Sequence, residues 1–176
     1  MAIKTIANAI HDTTTNHAIQ LTHKMRHTIF IIPLVVLLLT SCQRMAVYSD
    51  FHSLPPHGWH EDSILTYTMN DLDTSATYEI QILLRHTGQY PYQNLWLFVD
   101  EYAGNMHIQR DTIEAMLADD YGRWLGNGIN RYALPLMYEA DYHFISKDNS
   151  RLTIQQGMRT EWLTGITDVG IKVIKN

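Results

Sequence analysis

The chain contains a single cysteine, Cys42, and the residues around it have the pattern of a lipid-attachment site. Leu39, Thr40 and Ser41 lead up to it, so one aliphatic and two small residues precede the thiol, as in the bacterial lipobox. The thiol can take a diacylglycerol thioether, and the small residues let a signal peptidase grip and cut the backbone. Because two or three acyl chains give a lasting membrane anchor, we predict that Cys42 carries a covalent lipid and that the chain needs no cofactor.

A signal peptide is expected immediately before this cysteine. Ile29–Leu39 is a run of eleven mostly aliphatic residues, which is typical of a signal-peptide core and too short for a span of about 20 residues. Pro33 and the absence of an amphipathic period argue against the alternative, a buried globular helix. Met25 opens a short basic region before the run. We therefore predict a signal peptide over 25–41 and a misassigned N-terminal extension over 1–24.

The composition indicates a globular domain that is acidic. Of the 176 residues, 45% are hydrophobic and 18% are charged, so the chain is able to bury a core. The formal net charge is −5, and residues 42–176 alone carry −7. An acidic domain lacks the electrostatic footprint of a protein that binds nucleic acid or an anionic lipid surface. We expect no nucleic-acid partner, and membrane contact only through the lipid anchor.

The residues that could do catalysis are not arranged for it. No serine lies in a Gly-x-Ser-x-Gly elbow, and no glycine-rich loop precedes a helix. Acidic residues come in sequence-adjacent pairs, which point to opposite faces of a strand and cannot share a proton. We interpret these pairs as solvated turn charges and predict no enzymatic activity; the pairs are Glu61-Asp62, Asp100-Glu101 and Asp119-Asp120.

Histidines and aromatic residues offer two alternative kinds of binding site. His57 and His60 have a spacing used by metal sites, but they follow a Pro-Pro turn and no second pair completes a four-ligand set. We predict no metal site. Ten tyrosines and four tryptophans are many for this length, and exposed aromatic residues hold sugars or partner proteins in many modules. Core packing is expected to account for most of them.

Hydrophobic residues of the mature chain recur with a period of two, which indicates strands. Tyr78–Leu84 alternates cleanly, and Asn94–Val99 is apolar on both faces, typical of a central strand between layers. Asp111–Leu117 is short and is interpreted as strand, with one helical turn as the alternative. The further strands are expected at Ile64–Met69, Met106–Asp111, Ile129–Met137, Tyr142–Ser146, Leu152–Met158 and Val169–Ile174.

Seven or eight short strands separated by tight turns favour an all-β fold, an antiparallel β-sandwich. A small β-barrel is the alternative. Residues 42–58 contain Pro55, Pro56 and Gly58 and are interpreted as a lipidated tether. The β-sandwich domain is then expected over 59–176.

Four segments together resemble the gliding-motility lipoprotein family GldH of the Bacteroidetes. They are Arg85–Val99 ("RHTGQYPYQNLWLFV"), Asp119–Ile129 ("DDYGRWLGNGI"), Ile154–Arg159 ("IQQGMR") and Leu163–Val173 ("LTGITDVGIKV"). The lipobox, Trp59 and the overall length agree with this family. The resemblance implies a non-enzymatic envelope lipoprotein on which gliding motility and type IX secretion depend. It also implies that the partners of the chain are other envelope proteins of that machinery.

The resemblance also selects polar and aromatic residues that are candidates for contact with a partner or for shaping the turns. They are Arg85, Tyr90, Asn94, Trp124, Gln156 and Arg159. Gln43, directly after the lipidated cysteine, fits delivery to an outer membrane, with the domain facing the periplasm. A glycan-binding β-sandwich lipoprotein that uses exposed tryptophan and tyrosine is the alternative function. Three coplanar aromatic residues on one face would favour sugar, whereas a broad mixed patch would favour protein.

Overall fold

The computed structural model describes residues 45–176, and every helix-or-strand element in that range is a β-strand. The ten strands are β1 Ala46–Ser53, β2 Trp59–His60, β3 Leu65–Met69, β4 Tyr78–Thr87, β5 Asn94–Ala103, β6 Met106–Met116, β7 Arg131–Tyr142, β8 Ser150–Gln156, β9 Trp162–Leu163 and β10 Ile166–Lys175. Within these residues no helix has the length and apolarity needed to cross a bilayer. Cys42 and the signal peptide predicted over 25–41 lie outside the described residues.

Eight of the strands form two four-stranded antiparallel sheets. The first sheet has the strand order β1-β10-β4-β7, and the second has the order β3-β8-β5-β6. The short strands β2 and β9 pair only with each other. The predicted antiparallel β-sandwich is confirmed, and the β-barrel alternative is wrong because each sheet remains open at both edges.

The core lies between the two sheets because side chains alternate between the faces of each strand. In β4 the residues Tyr78, Ile80, Ile82, Leu84 and His86 are buried, while those between them are half-buried. Their partners from the remaining strands include Tyr67, Leu95, Leu97, Val99, Leu152, Ile154, Val169 and Ile171. The alternation predicted from the sequence for this strand is confirmed.

The interpretation of 42–58 as a tether is wrong for residues 46–53, which form β1. This strand pairs with β10 from Ala46↔Ile174 to Ser53↔Asp168, and Tyr48 packs against the core. The strand forms because β10 would otherwise present an unpaired edge, and that partner lies at the far end of the sequence. The sandwich therefore begins at residue 46 instead of 59.

The central position predicted for Asn94–Val99 is confirmed, but its burial on both faces is wrong. β5 lies between β8 and β6 within the second sheet. Its odd-numbered residues Leu95, Leu97 and Val99 are fully buried, whereas Trp96 is 38% exposed. The reason is that the core covers only one face of this sheet, so the apolar residues on the other face remain accessible.

Two features of the β6–β7 region bear on the sequence prediction: one confirms it and the other corrects it. Residues 111–116 belong to β6, so the strand interpretation is confirmed over the helical turn. The separate strand predicted over Tyr142–Ser146 is wrong, because Tyr142 is the last residue of β7. β7 extends that far because its pairing with β4 continues to Tyr78↔Tyr142, through a register shift near Ile80.

Glu101 is a buried carboxylate that joins the two sheets, so its interpretation as a solvated turn charge is wrong. It lies within β5 and is 2% exposed. Its oxygens accept hydrogen bonds from the hydroxyls of Tyr138, at 2.8 Å, and Tyr142, at 2.6 Å, both on β7. Its neighbour Asp100 points to the opposite face, where its Oδ1 lies 2.8 Å from Nε2 of His107. Glu61 and Asp62 are exposed, as expected.

Candidate binding cleft on the second sheet

A surface cleft lies where β5 begins and the segment after β8 crosses it. Its volume is about 470 Å³, and it is lined by Tyr92, Asn94, Trp96, Gly157, Met158 and Arg159. Tyr92 is 41% exposed and Trp96 is 38% exposed. Aromatic rings, an amide, a thioether and a guanidinium therefore face solvent together on the side of the second sheet that points away from the core.

The strand periodicity of β5 places the first part of this cleft. Asn94 and Trp96 are two residues apart and so project from the same face, opposite the buried Leu95 and Leu97. The hydroxyl of the buried Tyr90 donates to the carbonyl of Asn94 at 2.8 Å, which fixes the start of the strand. Burial also raises the pKa of Tyr90, so this hydroxyl keeps its proton and remains a donor.

Gly157 lets the segment after β8 lie directly on β5. A Cβ at this position would stand 3.2 Å from the ring of Phe98 and 3.3 Å from Cβ of Trp96. The amide of Gly157 donates to the carbonyl of Trp96 at 2.8 Å, and the amide of Trp96 lies 3.4 Å from Sδ of Met158. The close approach of these two backbones makes one wall and the floor of the cleft.

Gln156 holds the shape of that second segment from below. Its side chain is buried at 2% exposure. Nε2 donates to the carbonyl of Thr160 at 2.9 Å, and Oε1 accepts the amide of Met158 at 2.8 Å. The NH2 and the carbonyl oxygen of this one side-chain amide thus both bind the backbone of one turn, and Arg159 in that turn is exposed.

Of the six residues selected from the sequence, four meet at this cleft. Asn94 and Arg159 line it, Gln156 positions its turn and Tyr90 fixes the start of β5. Trp124 lies behind Tyr90, with the ring centroids 6.5 Å apart, and packs on His86 at 4.8 Å.

Arg85 is not part of this arrangement. It projects from the outer face of the first sheet, where its guanidinium lies 4.2 Å from the centre of the Phe51 ring. Sequence reasoning missed Tyr92, Trp96, Gly157 and Met158 as cleft residues. The detectable signal was the i, i+2 series Asn94, Trp96 and Phe98 on one face of β5.

The outer face of the second sheet continues from the cleft as a mixed aromatic and charged surface. Phe98 and Tyr102 follow Trp96 along β5 on the same face. Each is covered by a guanidinium, Arg110 at 4.7 Å from the Phe98 ring and Arg151 at 4.6 Å from the Tyr102 ring. Such cation–π contacts leave only part of each ring open.

The histidines near Trp162 form a second aromatic group. His57 and His60 pack edge-on against this ring, with centroids 4.7 Å and 4.6 Å away. In the described part of the chain no three His, Cys, Asp or Glu side chains are grouped to hold a metal ion. Both histidines contact this aromatic ring, and Nδ1 of His60 also accepts the amide of Asp62 at 3.1 Å while its Nε2 lies 3.6 Å from Oε1 of Glu161.

The fold and the cleft define a class of protein, an antiparallel β-sandwich with an open cleft lined by aromatic and polar side chains. The family model described as GldH lipoprotein matches residues 46–173, and the chain belongs to this family. The family consists of lipoproteins, so the chain is a membrane-anchored protein of the cell envelope.

Two relatives agree with this assignment. The gliding motility lipoprotein GldH of Flavobacterium johnsoniae is 32% identical over 151 residues, which cover 81% of this chain and 93% of the relative. The GldH homolog of Christiangramia forsetii is 29% identical over 157 residues, which cover 85% and 96%. A chain of the infectious bursal disease virus (Gx strain) structure is similar at a TM-score of 0.28 and 14% identity, over 74% of this chain and 32% of that one. That likeness is too distant to carry an argument.

Proposed function

We propose that this lipoprotein is a non-enzymatic component that supports gliding motility and type IX protein secretion by contacting other envelope proteins. The family and the names of both relatives support a role of the GldH type. The observation that supports a contact surface is the cleft, where Trp96 on β5 and Tyr92 just before it are exposed. Exposed tryptophan and tyrosine beside arginine are the residues that most often dominate protein interfaces.

The membrane attachment is proposed to run through acylated Cys42, which holds the domain at the outer membrane facing the periplasm. The lipobox before the cysteine and Gln43 after it support this placement. In this chain, β1 begins only four residues after the cysteine, at Ala46. The sandwich would therefore stay close to the bilayer surface, where its partners would have to be envelope proteins.

The surface chemistry favours protein over glycan as the occupant of the cleft. A sugar platform needs several open aromatic faces, but the rings of Phe98 and Tyr102 are covered by Arg110 and Arg151. What remains open is a mixed surface of two aromatic rings, a thioether, an amide and a guanidinium. This composition is typical of a protein interface.

The test is site-specific photo-crosslinking in living cells of the native host. A photoreactive phenylalanine analogue at Trp96 should capture a motility or secretion protein, identified by mass spectrometry. The matched control is the same analogue at Met137, which is 57% exposed and lies on β7 of the first sheet. Capture of the same protein from both positions, or of no motility or secretion protein from Trp96, would refute the proposed contact surface.

A glycan-binding role is the second candidate, because Tyr92 and Trp96 stand beside the hydrogen-bonding groups of Asn94 and Arg159. A direct titration with glycan decides whether the cleft binds sugar. Calorimetry of the purified lipoprotein with soluble peptidoglycan fragments and surface oligosaccharides should give no heat of binding. Binding that is lost in Trp96→Ala and kept in Trp162→Ala would assign the cleft to glycan instead.

A further inference from the structure

β6 is a long strand at the edge of the second sheet that contains no proline, and its edge-protecting features are a register shift near Ile108 and the charged residues Arg110, Asp111 and Glu114. It runs for 11 residues, Met106–Met116, and pairs only with β5. Its apolar side chains are accessible, with Met106 58%, Ile108 38% and Met116 45% exposed. An exposed edge strand is a template for pairing with another chain, and proline, a short length, a bulge, a covering segment or charges that the other strand does not complement oppose such pairing.

The other three edges of the described sandwich are protected. β7, the neighbouring edge, carries Pro135 in its interior, and proline cannot donate to a further strand. β3 is only five residues long. β1 is tied to β3, because Nε2 of His52 lies 3.0 Å from the carbonyl oxygen of Thr66. Among the four edge strands of the described sandwich, β6 therefore has the longest stretch of backbone that is free to pair.

The charges on β6 identify what would pair with it. Arg110, Thr112 and Glu114 project from the outer face, since they alternate with the inward-facing Asp111, Ile113 and Ala115. The arginine and the glutamate lie two residues to either side of Thr112. If two copies of this strand pair antiparallel with Thr112 on the two-fold axis, each Arg110 faces Glu114 of the other copy. A second copy is therefore the strand that this charge pattern complements.

We infer that the chain forms a symmetric homodimer by antiparallel pairing of β6 with β6 of a second copy, centred on Thr112. The interface is isologous, as a two-fold axis requires. It joins the two second sheets into one continuous eight-stranded sheet. Met116 and Ile108, four residues to either side of Thr112, face each other at the two ends of the pairing, where Ile108 stands beside the strand's register shift.

The charged side chains on either side of the axis are accessible, although each also has a partner within its own chain: the Arg110 guanidinium lies over the Phe98 ring and 3.4 Å from Oε1 of Gln155. The guanidinium of Arg110 is 49% exposed, and its Nε lies 3.9 Å from Oδ1 of Asp100. Glu114 is exposed and accepts a hydrogen bond from the amide of Asn94, a cleft residue. On the inner face Oδ2 of Asp111 lies 2.5 Å from the hydroxyl of Tyr138, which it shares with Glu101. The dimer thus extends a chain of polar contacts from Asp100 through Arg110 and Glu114 to the cleft of the other copy.

Disulfide trapping tests the axis directly in the full-length lipoprotein in its native envelope. Thr112→Cys places a thiol opposite its own copy, where directly opposed Cβ atoms lie about 5 Å apart. Mild oxidation should convert most of this variant to a disulfide-linked dimer on a non-reducing gel. Thr68→Cys, the same change at an exposed position of the opposite edge strand β3, and the unchanged chain with Cys42 should stay monomeric. Equal crosslinking of the two cysteine variants would overturn the inference.

Charge reversal tests whether the partner is a second copy. In detergent extracts, Arg110→Glu and Glu114→Arg should each weaken the dimer about tenfold in dissociation constant, since each creates two like-charge pairs. The double variant Arg110→Glu/Glu114→Arg restores both pairs and should return to the dimerisation of the unchanged chain. Analytical ultracentrifugation measures this. A monomeric unchanged chain, or a double variant as weak as the single ones, would refute self-pairing.

Discussion

At the scale of single residues, the least expected side chain in the sandwich is His86. It is fully buried at the end of β4, its Nε2 has no hydrogen-bond partner, and its Nδ1 lies 3.1 Å from the carbonyl oxygen of Thr87. The rings of Trp124 and Tyr132 pack around it at 4.8 Å and 5.3 Å. Burial lowers the pKa of His86, and the contact with Thr87 opposes that shift in part.

The lowered pKa of His86 predicts a loss of stability in acid. Below the ordinary pKa of 6.5, the unfolded chain binds a proton that the folded chain excludes, so the free energy of unfolding falls as the pH falls. His86→Phe keeps an aromatic ring and removes the titration, and should flatten this part of the pH profile. Denaturant unfolding at a series of pH values measures it. His143→Phe, at an exposed site, is the control, and an equal flattening there would contradict the assignment.

The buried Glu101 illustrates what residue-level sequence reasoning could not reach. A carboxylate beside another carboxylate in a β-rich sequence is usually solvated, and that was the interpretation of Asp100-Glu101. The hydroxyls that satisfy Glu101 come from β7, 37 and 41 residues later in the chain. Burial raises the pKa of both tyrosines, with further contributions from Asp111 and Glu101 at Tyr138 and from Glu101 at Tyr142, so both hydroxyls stay protonated. No local sequence pattern predicts such a contact between the sheets.

At the scale of elements, the turn between β9 and β10 is tied to the residues behind the cleft. Gly165 has φ +89°, and a Cβ there would stand 2.6 Å from Cα of Tyr90 and 2.7 Å from its nitrogen. Its carbonyl accepts the amide of Thr87 at 2.8 Å. The obstacles are backbone atoms, which cannot rotate out of the way, so only glycine fits.

This geometry predicts the effect of Gly165→Ala. Strain at a positive φ costs about 1–3 kcal/mol, and the close contact with Tyr90 adds to it, so the loss should reach at least 2 kcal/mol by this estimate. Gly104→Ala is the matched control, because its φ is +59° and no atom lies within 4 Å of the added Cβ. Urea unfolding compares the two variants. Equal losses would show that contact with Tyr90 contributes nothing.

The strands that could be predicted are those whose alternation is visible without a partner. β4 and β5 stand at the centres of their sheets, and their hydrophobic periodicity is strong. β1 has an irregular burial pattern, and it is a strand because β10 offers it an edge. For the same reason Asn94 and Arg159 could be selected as separate residues, whereas the cleft they share depends on the pairing of β5 with β8.

At the scale of the whole molecule, attachment determines where each surface can act. The cleft and the edge strand β6 both belong to the second sheet. Pairing through β6 would place two clefts on one continuous sheet face, so that a partner protein with two matching sites would bind more tightly than a single cleft allows. Fixing the chains in a bilayer would also raise their local concentration and favour the dimer.

The anchor itself gives the last prediction. Cys42→Ala removes the thiol that we propose takes the lipid, so a signal peptidase that acts after acylation should have no substrate. The variant should remain an unprocessed, mislocalised precursor, visible as a slower band on a gel, and should lack the acyl chains that contribute about 0.8 kcal/mol per buried methylene. Translation from Met25 with residues 1–24 deleted is the control and should leave processing and membrane fractionation unchanged. Normal processing of Cys42→Ala would mean that this cysteine is not the lipid site.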